Sequence, residues 1–240
     1  MGELITLKIS SLMPYRNLIS DIVVRFNECN ILLNEIKRKE ELLIPPNTEF
    51  VEHKVLKGLL YVSLYACIEF SFNELSIRTL SLIKSKNILY HHFENKFLTI
   101  ALSSSIQGIR DCNSKKLLDK ASEMFHLSES GDIANFNETF ISQYLQNIWG
   151  KSFNQLTKTL GISSFEITTR EIAIFDEIVN NRNMVAHGRE LAQIIGSGPT
   201  YSDLKSKYDT IFDTINRYVT HFESFYSNKE FLKRISRVNY

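Results

Sequence analysis

Along this 240-residue chain apolar residues recur mainly at intervals of three and four, the period of helices that pack by one face. One stripe, Leu18, Ile22, Phe26, Cys29, Leu33 and Ile36, predicts a helix from Pro14 to Glu41, with Pro14 in its first turn and Pro45-Pro46 closing the segment behind it. A second, long helix is expected from Thr48, whose hydroxyl can cap it, to Lys84. It is apolar nearly all round from Leu56 to Phe72, so it belongs at the centre. Within it, Leu59 to Ile68 is interrupted only by Ser63, and Glu69 ends the run at half the roughly 20 residues a membrane span needs. A buried core helix is therefore expected, and no membrane partner.

The middle third predicts shorter pieces: a helix over Phe93 to Ile109, another over Ser114 to Phe125, and a loop at Ser128 to Asp132. Two more helices follow, Asn135 to Gly150 and Ser152 to Leu160, the latter stopped by Gly161. Thr168-Thr169-Arg170-Glu171 has the spacing of a capping box and opens a further helix, with Ile172, Phe175, Ile178 or Val179, and Val185 facing inward and Gly188 as its left-handed stop. After Gly196-Ser197-Gly198-Pro199, a last helix begins at Ser202 or Asp203 and carries Leu204, Tyr208, Ile211, Ile215, Tyr218, Phe222 and Phe225.

With only 9 glycines and 4 prolines and no strand-like alternation, the fold class is all-α. Residues 1–47 read as an N-terminal helical arm and 48–240 as a helical domain that forms one compact unit with it. Hydrophobic residues at 43% and charged residues at 23% suit a globular chain and exclude a disordered one. A net charge of +1 excludes strong nonspecific attraction to nucleic acid, so any RNA contact has to be local. Cys29, Cys67 and Cys112 lack the spacing of a zinc or redox motif, and the N-terminus lacks the pattern of a signal peptide, so a reducing cytoplasm is the expected compartment.

Chemistry concentrates in Asn181-Arg182-Asn183-Met184-Val185-Ala186-His187-Gly188. Cleavage of RNA through its own 2′-hydroxyl needs a base, an acid and positive charge on the transition state. Histidine titrates near neutrality and arginine grips phosphate with a fork of donors, so His187 and Arg182 supply both kinds of group. Asn183 can orient the imidazole or the phosphate. Residues five apart on a helix diverge by about 140°, whereas Asn183 and His187, four apart, share a face. A complete site is therefore expected only when two copies pair. The plainer alternative makes Arg182 an ion-pair partner of Asp176 or Glu177, and His187 a helix cap.

Arg182-Asn183-Met184-Val185-Ala186-His187-Gly188, closing an amphipathic helix in an all-helical chain, resembles the signature of the HEPN superfamily: Arg, a polar residue, several variable residues, then His. Leu156 to Ile162 and Ile172 to Asn180 resemble the approach to that motif in stand-alone, defence- and toxin-associated bacterial members. The likeness covers about ten residues in motif and roughly Thr48 to Tyr226 in architecture, and leaves residues 1–47 aside. It implies a HEPN-type bundle with additional N-terminal and middle helices, and a homodimer with facing motifs. It also implies a metal-independent endoribonuclease that leaves 2′,3′-cyclic phosphate ends without a cofactor. On that reading Arg182 binds phosphate, Asn183 supports it and His187 is the general acid or base. Expected partners are RNA, as single strands or tRNA loops, and an antitoxin or defence protein. The alternatives are a noncatalytic HEPN-type module that binds a nucleotide or protein, and a structural helical dimer.

Other residues carry less. Tyr65, Glu69 and Asn73 form a polar stripe on the central helix; Glu69 can orient Arg182 or His187, or simply mark an interhelical contact. His91-His92 lacks a companion ligand set, so no metal is expected. His53, His126 and His221 read as surface or packing residues. Phe140, Tyr144 and Trp149 read as core or dimer contacts before a base-stacking platform. Lys115, Lys116 and Lys120, or the basic tail of Lys229, Lys233, Arg234 and Arg237, offer an RNA-tracking face or a solvated one.

Overall fold

The computed structural model describes residues 13–42, 49–141, 148–162 and 165–240. Among these the chain forms helices α1 (Arg16–Glu41), α2 (Val51–Lys84), α3 (Asn95–Ala101), α4 (Ser103–Arg110), α5 (Leu117–Glu129), α6 (Gly150–Leu160), α7 (Thr169–Ala186), α8 (Ala192–Ile195) and α9 (Tyr201–Ser227). Extended pairing among the described residues is limited to the isolated bridges Leu89–Ile133 and Phe93–Leu232, so the fold is all-α. The helices pack into two compact units. One holds the described residues of Met1–Phe72, Asn147–Phe153 and Glu166–Val219, the other those of Asn73–Gln146, Asn154–Phe165 and Thr220–Tyr240.

In the first unit the α1 stripe is buried as Ile19, Ile22, Phe26, Cys29, Leu33 and Ile36. Leu18, predicted to open it, is only half-buried; Ile19 faces the core in its place. Pro14 sits in a 3₁₀ turn just ahead of α1, and the proposed Thr48 cap lies outside the described residues. Phe26 meets the rings of Tyr208 and Phe212 edge-on, and its carbonyl accepts a 3.1 Å hydrogen bond from the Tyr208 hydroxyl. The α2 residues Leu60, Leu64, Tyr65, Ile68 and Phe72 are buried, as expected of a central helix. Phe72, Phe153, Phe175 and Tyr218 interlock through edge and stacked contacts at 4.9–5.7 Å. Burial of a large aromatic side chain contributes on the order of 2–3 kcal/mol, so this cluster is a main source of the unit's cohesion. Cys29 and Cys67, 38 positions apart in sequence, bring their sulfurs to 3.5 Å as free thiols.

The second unit departs further from the expected elements. The helix foreseen over Phe93 to Ile109 is divided at Leu102, whose backbone leaves the helical region. Amide bonds from Leu102 to Leu98 and from Ile106 to Leu102 continue through the break, which is therefore a bend. α5 runs on through Ser128 and Glu129, so the loop starts only at Ser130. The helix foreseen from Asn135 to Gly150 is absent over 134–139: Ala134 donates its amide to Ile88, and the Asn137 carboxamide accepts from both the amide and the hydroxyl of Thr139. Those bonds hold the segment out of a helix, which is present at Phe140 and Ile141; residues 142–147, with Tyr144, lie outside the described set.

Candidate functional site

α7 is fixed at its start by the expected capping box. Thr168 Oγ1 accepts from the Glu171 amide at 3.2 Å, and the Thr168 amide donates to Glu171 Oε2 at 2.7 Å. The other carboxylate oxygen of Glu171 meets the Thr214 hydroxyl at 2.9 Å and the Arg217 guanidinium, which ties α7 to α9. Partial burial works to raise the Glu171 pKa, but Thr168, Thr214 and Arg217 outweigh it and hold the carboxyl below its ordinary value. Phe175, Ile178 and Val179 are buried, whereas Ile172 and Val185, also foreseen facing inward, are half-buried.

The far end of α7 closes on His187, the C-cap, whose amide donates to Asn183. Gly188 takes φ +64°, a conformation unfavourable for residues with a Cβ, and the Met184 carbonyl then accepts from both Arg189 and Glu190. The chain that follows is pinned to α2: a Cβ on Gly58 would collide with the Ala192 carbonyl, and one on Gly196 with that of Lys54.

At this end the structure joins two of the foreseen site residues directly. Arg182 Nη1 donates to Asn183 Oδ1 at 2.8 Å, so the carboxamide orients the guanidinium and not the imidazole. The Arg182 guanidinium carbon also lies 4.2 Å from the centroid of the Tyr65 ring on α2, in cation–π contact. The Tyr65 hydroxyl in turn points to Glu69 Oε1 at 3.5 Å. Burial, then the Glu69 carboxylate, raises the Tyr65 pKa, so the phenol is neutral. Among the described residues Tyr65 thus links Glu69 to Arg182. His187 is exposed, and among the described residues its imidazole has no hydrogen-bond partner. Neither carboxylate of the plainer alternative pairs with Arg182: Asp176 accepts from the Gly150 amide at 2.9 Å, and Glu177 faces Lys207 and the Tyr61 hydroxyl. The half of that alternative that made His187 a cap is what the structure shows.

The RiboL-PSP-HEPN family model matches residues 20–224, from within α1 to within α9. The chain belongs to the RiboL-PSP-HEPN family. Its match takes in most of α1, which the motif-level likeness left aside, and the whole Arg182 to His187 segment. No curated protein and no solved structure matches the chain. Membership of this HEPN family supports a nuclease- or RNA-related role at the coarse level.

Tyr65 is the site residue that the HEPN motif does not name. Its place in the polar stripe with Glu69 was visible in sequence, but its partner on α7 was not. The remaining candidates are occupied elsewhere. His53 is 1% exposed, with its Nδ1 2.8 Å from Glu49 and its Nε2 3.1 Å from the Ile36 carbonyl. His91 faces the Ser130 carbonyl and His92 the Tyr240 hydroxyl. In the basic tail, Lys229, Lys233 and Arg237 donate to the carbonyls of Arg237, His91 and Leu232, which leaves Arg234 as the exposed cation. Lys115 and Lys116 are exposed in the 3₁₀ turn ahead of α5, Lys120 on α5 is half-buried, and so is Trp149.

Proposed function

We propose that this HEPN protein is a metal-independent endoribonuclease that cleaves RNA by 2′-hydroxyl attack and leaves 2′,3′-cyclic phosphate ends. The observation that carries this reading is the Arg182 guanidinium, held by Asn183 and Tyr65 with most of its donors unused, on the same helix end as the exposed His187. A guanidinium so held stabilises the charge that develops on a phosphorane without reorganising as it does so. The imidazole moves the protons: one deprotonates the 2′-hydroxyl and one protonates the departing 5′-oxygen. Each chain supplies one motif histidine, so both roles are filled when two copies set their α7 ends face to face. Asn183 and His187 then belong to the same cleft as the partner copy's equivalents. A single-stranded or tRNA loop is the fitting substrate, and a toxin or antiviral effector with a controlling partner protein is the fitting role.

The test is incubation of purified protein with total RNA in EDTA, comparing wild type with Arg182→Ala and His187→Ala. Cleavage by the wild type alone, with cyclic phosphate ends, is expected. Equal degradation by all three, or by none across several RNAs, sinks the assignment.

A further inference from the structure

We propose that Tyr65 is a positioning residue that holds the Arg182 guanidinium in the orientation in which it receives a substrate phosphate. The inference rests on the ribonuclease reading for the reaction and on the α2–α7 contact for the geometry.

Arg182 has a long, rotamer-rich side chain near the end of α7, where a free arginine would sample many orientations. Two contacts restrict it. Tyr65, 1% exposed on α2, presents its ring face 4.2 Å from the guanidinium carbon, and Asn183 Oδ1 takes one edge at 2.8 Å. A guanidinium has five N–H donors; one is directed at Asn183, and among the described residues the others have no partner. An aromatic face therefore does what a carboxylate would not: it fixes the plane of the fork while leaving both its charge and its donors available. The nearest carboxylate on the same α2 stripe, Glu69, is turned to the Tyr65 hydroxyl, which anchors the ring and keeps the negative charge off Arg182. Orientation fixed before the substrate arrives lowers the reorganisation needed at the transition state.

The experiment pairs kinetics with a direct view of Arg182. Tyr65→Leu keeps apolar volume and removes the ring, Tyr65→Phe keeps the ring and removes the hydroxyl, and Tyr65→Trp restores a larger ring. Thermal unfolding and circular dichroism establish that each variant folds. On a defined RNA in EDTA, Tyr65→Leu should lower kcat on the order of 10- to 100-fold with KM changed far less, while Tyr65→Trp and Tyr65→Phe keep a ring face and lose far less, Tyr65→Phe by about the few-fold that the missing Glu69 anchor costs. In ¹⁵N NMR of the arginine side chains, identified by loss of the signal in Arg182→Lys, the Arg182 Nε–H resonance should be ring-shifted in the wild type and collapse to the free-arginine position in Tyr65→Leu. Equal kcat in Tyr65→Leu and wild type, or an Arg182 signal already at the free position in the wild type, overturns the proposal. If Tyr65→Leu is misfolded, the wild-type NMR position decides alone: an Arg182 Nε–H signal at the free-arginine position overturns the proposal. If the wild type does not cleave RNA but its Arg182 signal is ring-shifted and moves with added inorganic phosphate, the ribonuclease reading fails and the positioning of Arg182 for a phosphate stands.

Discussion

Two pairings of a histidine with a basic residue stand in the first unit, and they are built in opposite ways. On α2, His53 and Lys57 are 1% and 4% exposed and turned onto groups of their own chain: Lys57 Nζ reaches Glu49 at 2.6 Å and the Pro199 carbonyl at 2.7 Å, and both nitrogens of His53 face acceptors. On α7, Arg182 makes one hydrogen bond and leans on a ring, and His187 stands in solvent. In the first set the ammonium and the imidazole both meet acceptors of the same chain, which is what a buried charge requires to be tolerated. The second set keeps donors in reserve, which costs little where Arg182 is half-buried and His187 exposed. The contrast separates polar groups tied up inside the chain from groups left open to solvent, with a histidine and a cation in both.

The sharpest way to break the contrast is to remove each set and measure both readouts. Arg182→Ala or His187→Ala should cut RNA cleavage on the order of 100-fold or more, with thermal stability changed by about 0.5 kcal/mol or less. Lys57→Met should do the reverse: it leaves Glu49 without its ammonium partner, so denaturant unfolding should show a loss of about 3 kcal/mol, while the cleavage rate well below Tm stays within a few-fold. Stability unmoved by Lys57→Met would show that the buried set is not structural.

A gentler perturbation is Asn183→Asp. It keeps the shape that holds Arg182 but adds a negative charge, turning an electrically silent support into an ion pair. Cleavage should fall roughly 10-fold, as when one charge-assisted hydrogen bond of about 1.5 kcal/mol is diverted from substrate. A rate equal to wild type would mean that Arg182 charge is not what the site uses.

The smallest effect concerns the other end of α7. Glu171 titrates below its ordinary value, so the stability it adds is present above the unfolded carboxylate pKa of about 4.3 and is lost as pH falls through the lower folded value. Glu171→Gln should therefore be less stable than wild type by about 1 kcal/mol at neutral pH, with the gap closing in acid. A gap that does not narrow at all as the pH is lowered through the acid range in thermal unfolding would rule out the ionised carboxylate as its source.

How much of this was legible in the sequence depends on the range of the interaction. The α7 capping box, its stop at Gly188, and the stripe from Leu204 to Phe225 on α9 are set by residues three or four apart, and all were readable. Where distant backbone intervenes, reading failed: the Ala134 amide bonds to Ile88, and with that the helix expected from Asn135 never starts there. The same limit applies at the site. Arg182 and Asn183 are neighbours in sequence, but Tyr65 lies 117 positions before Arg182 and meets it only through the packing of α2 against α7. Cys29 and Cys67 show the point again: no spacing rule suggested a contact, yet their sulfurs nearly touch.

The two glycine contacts that pin the chain behind the motif set a timescale. Between Gly188 and the clamped Ala192 there are only Arg189, Glu190 and Leu191, and the near side is bound into the end of α7. A tether of three residues, each spanning at most about 3.5 Å, leaves no lid or loop to swing. His187 must therefore aim by turning its own side-chain torsions, which exposed residues do in picoseconds to nanoseconds, orders of magnitude faster than loop closure. The aim of His187 is then set by a side-chain rotation and not by a loop movement of the chain behind it.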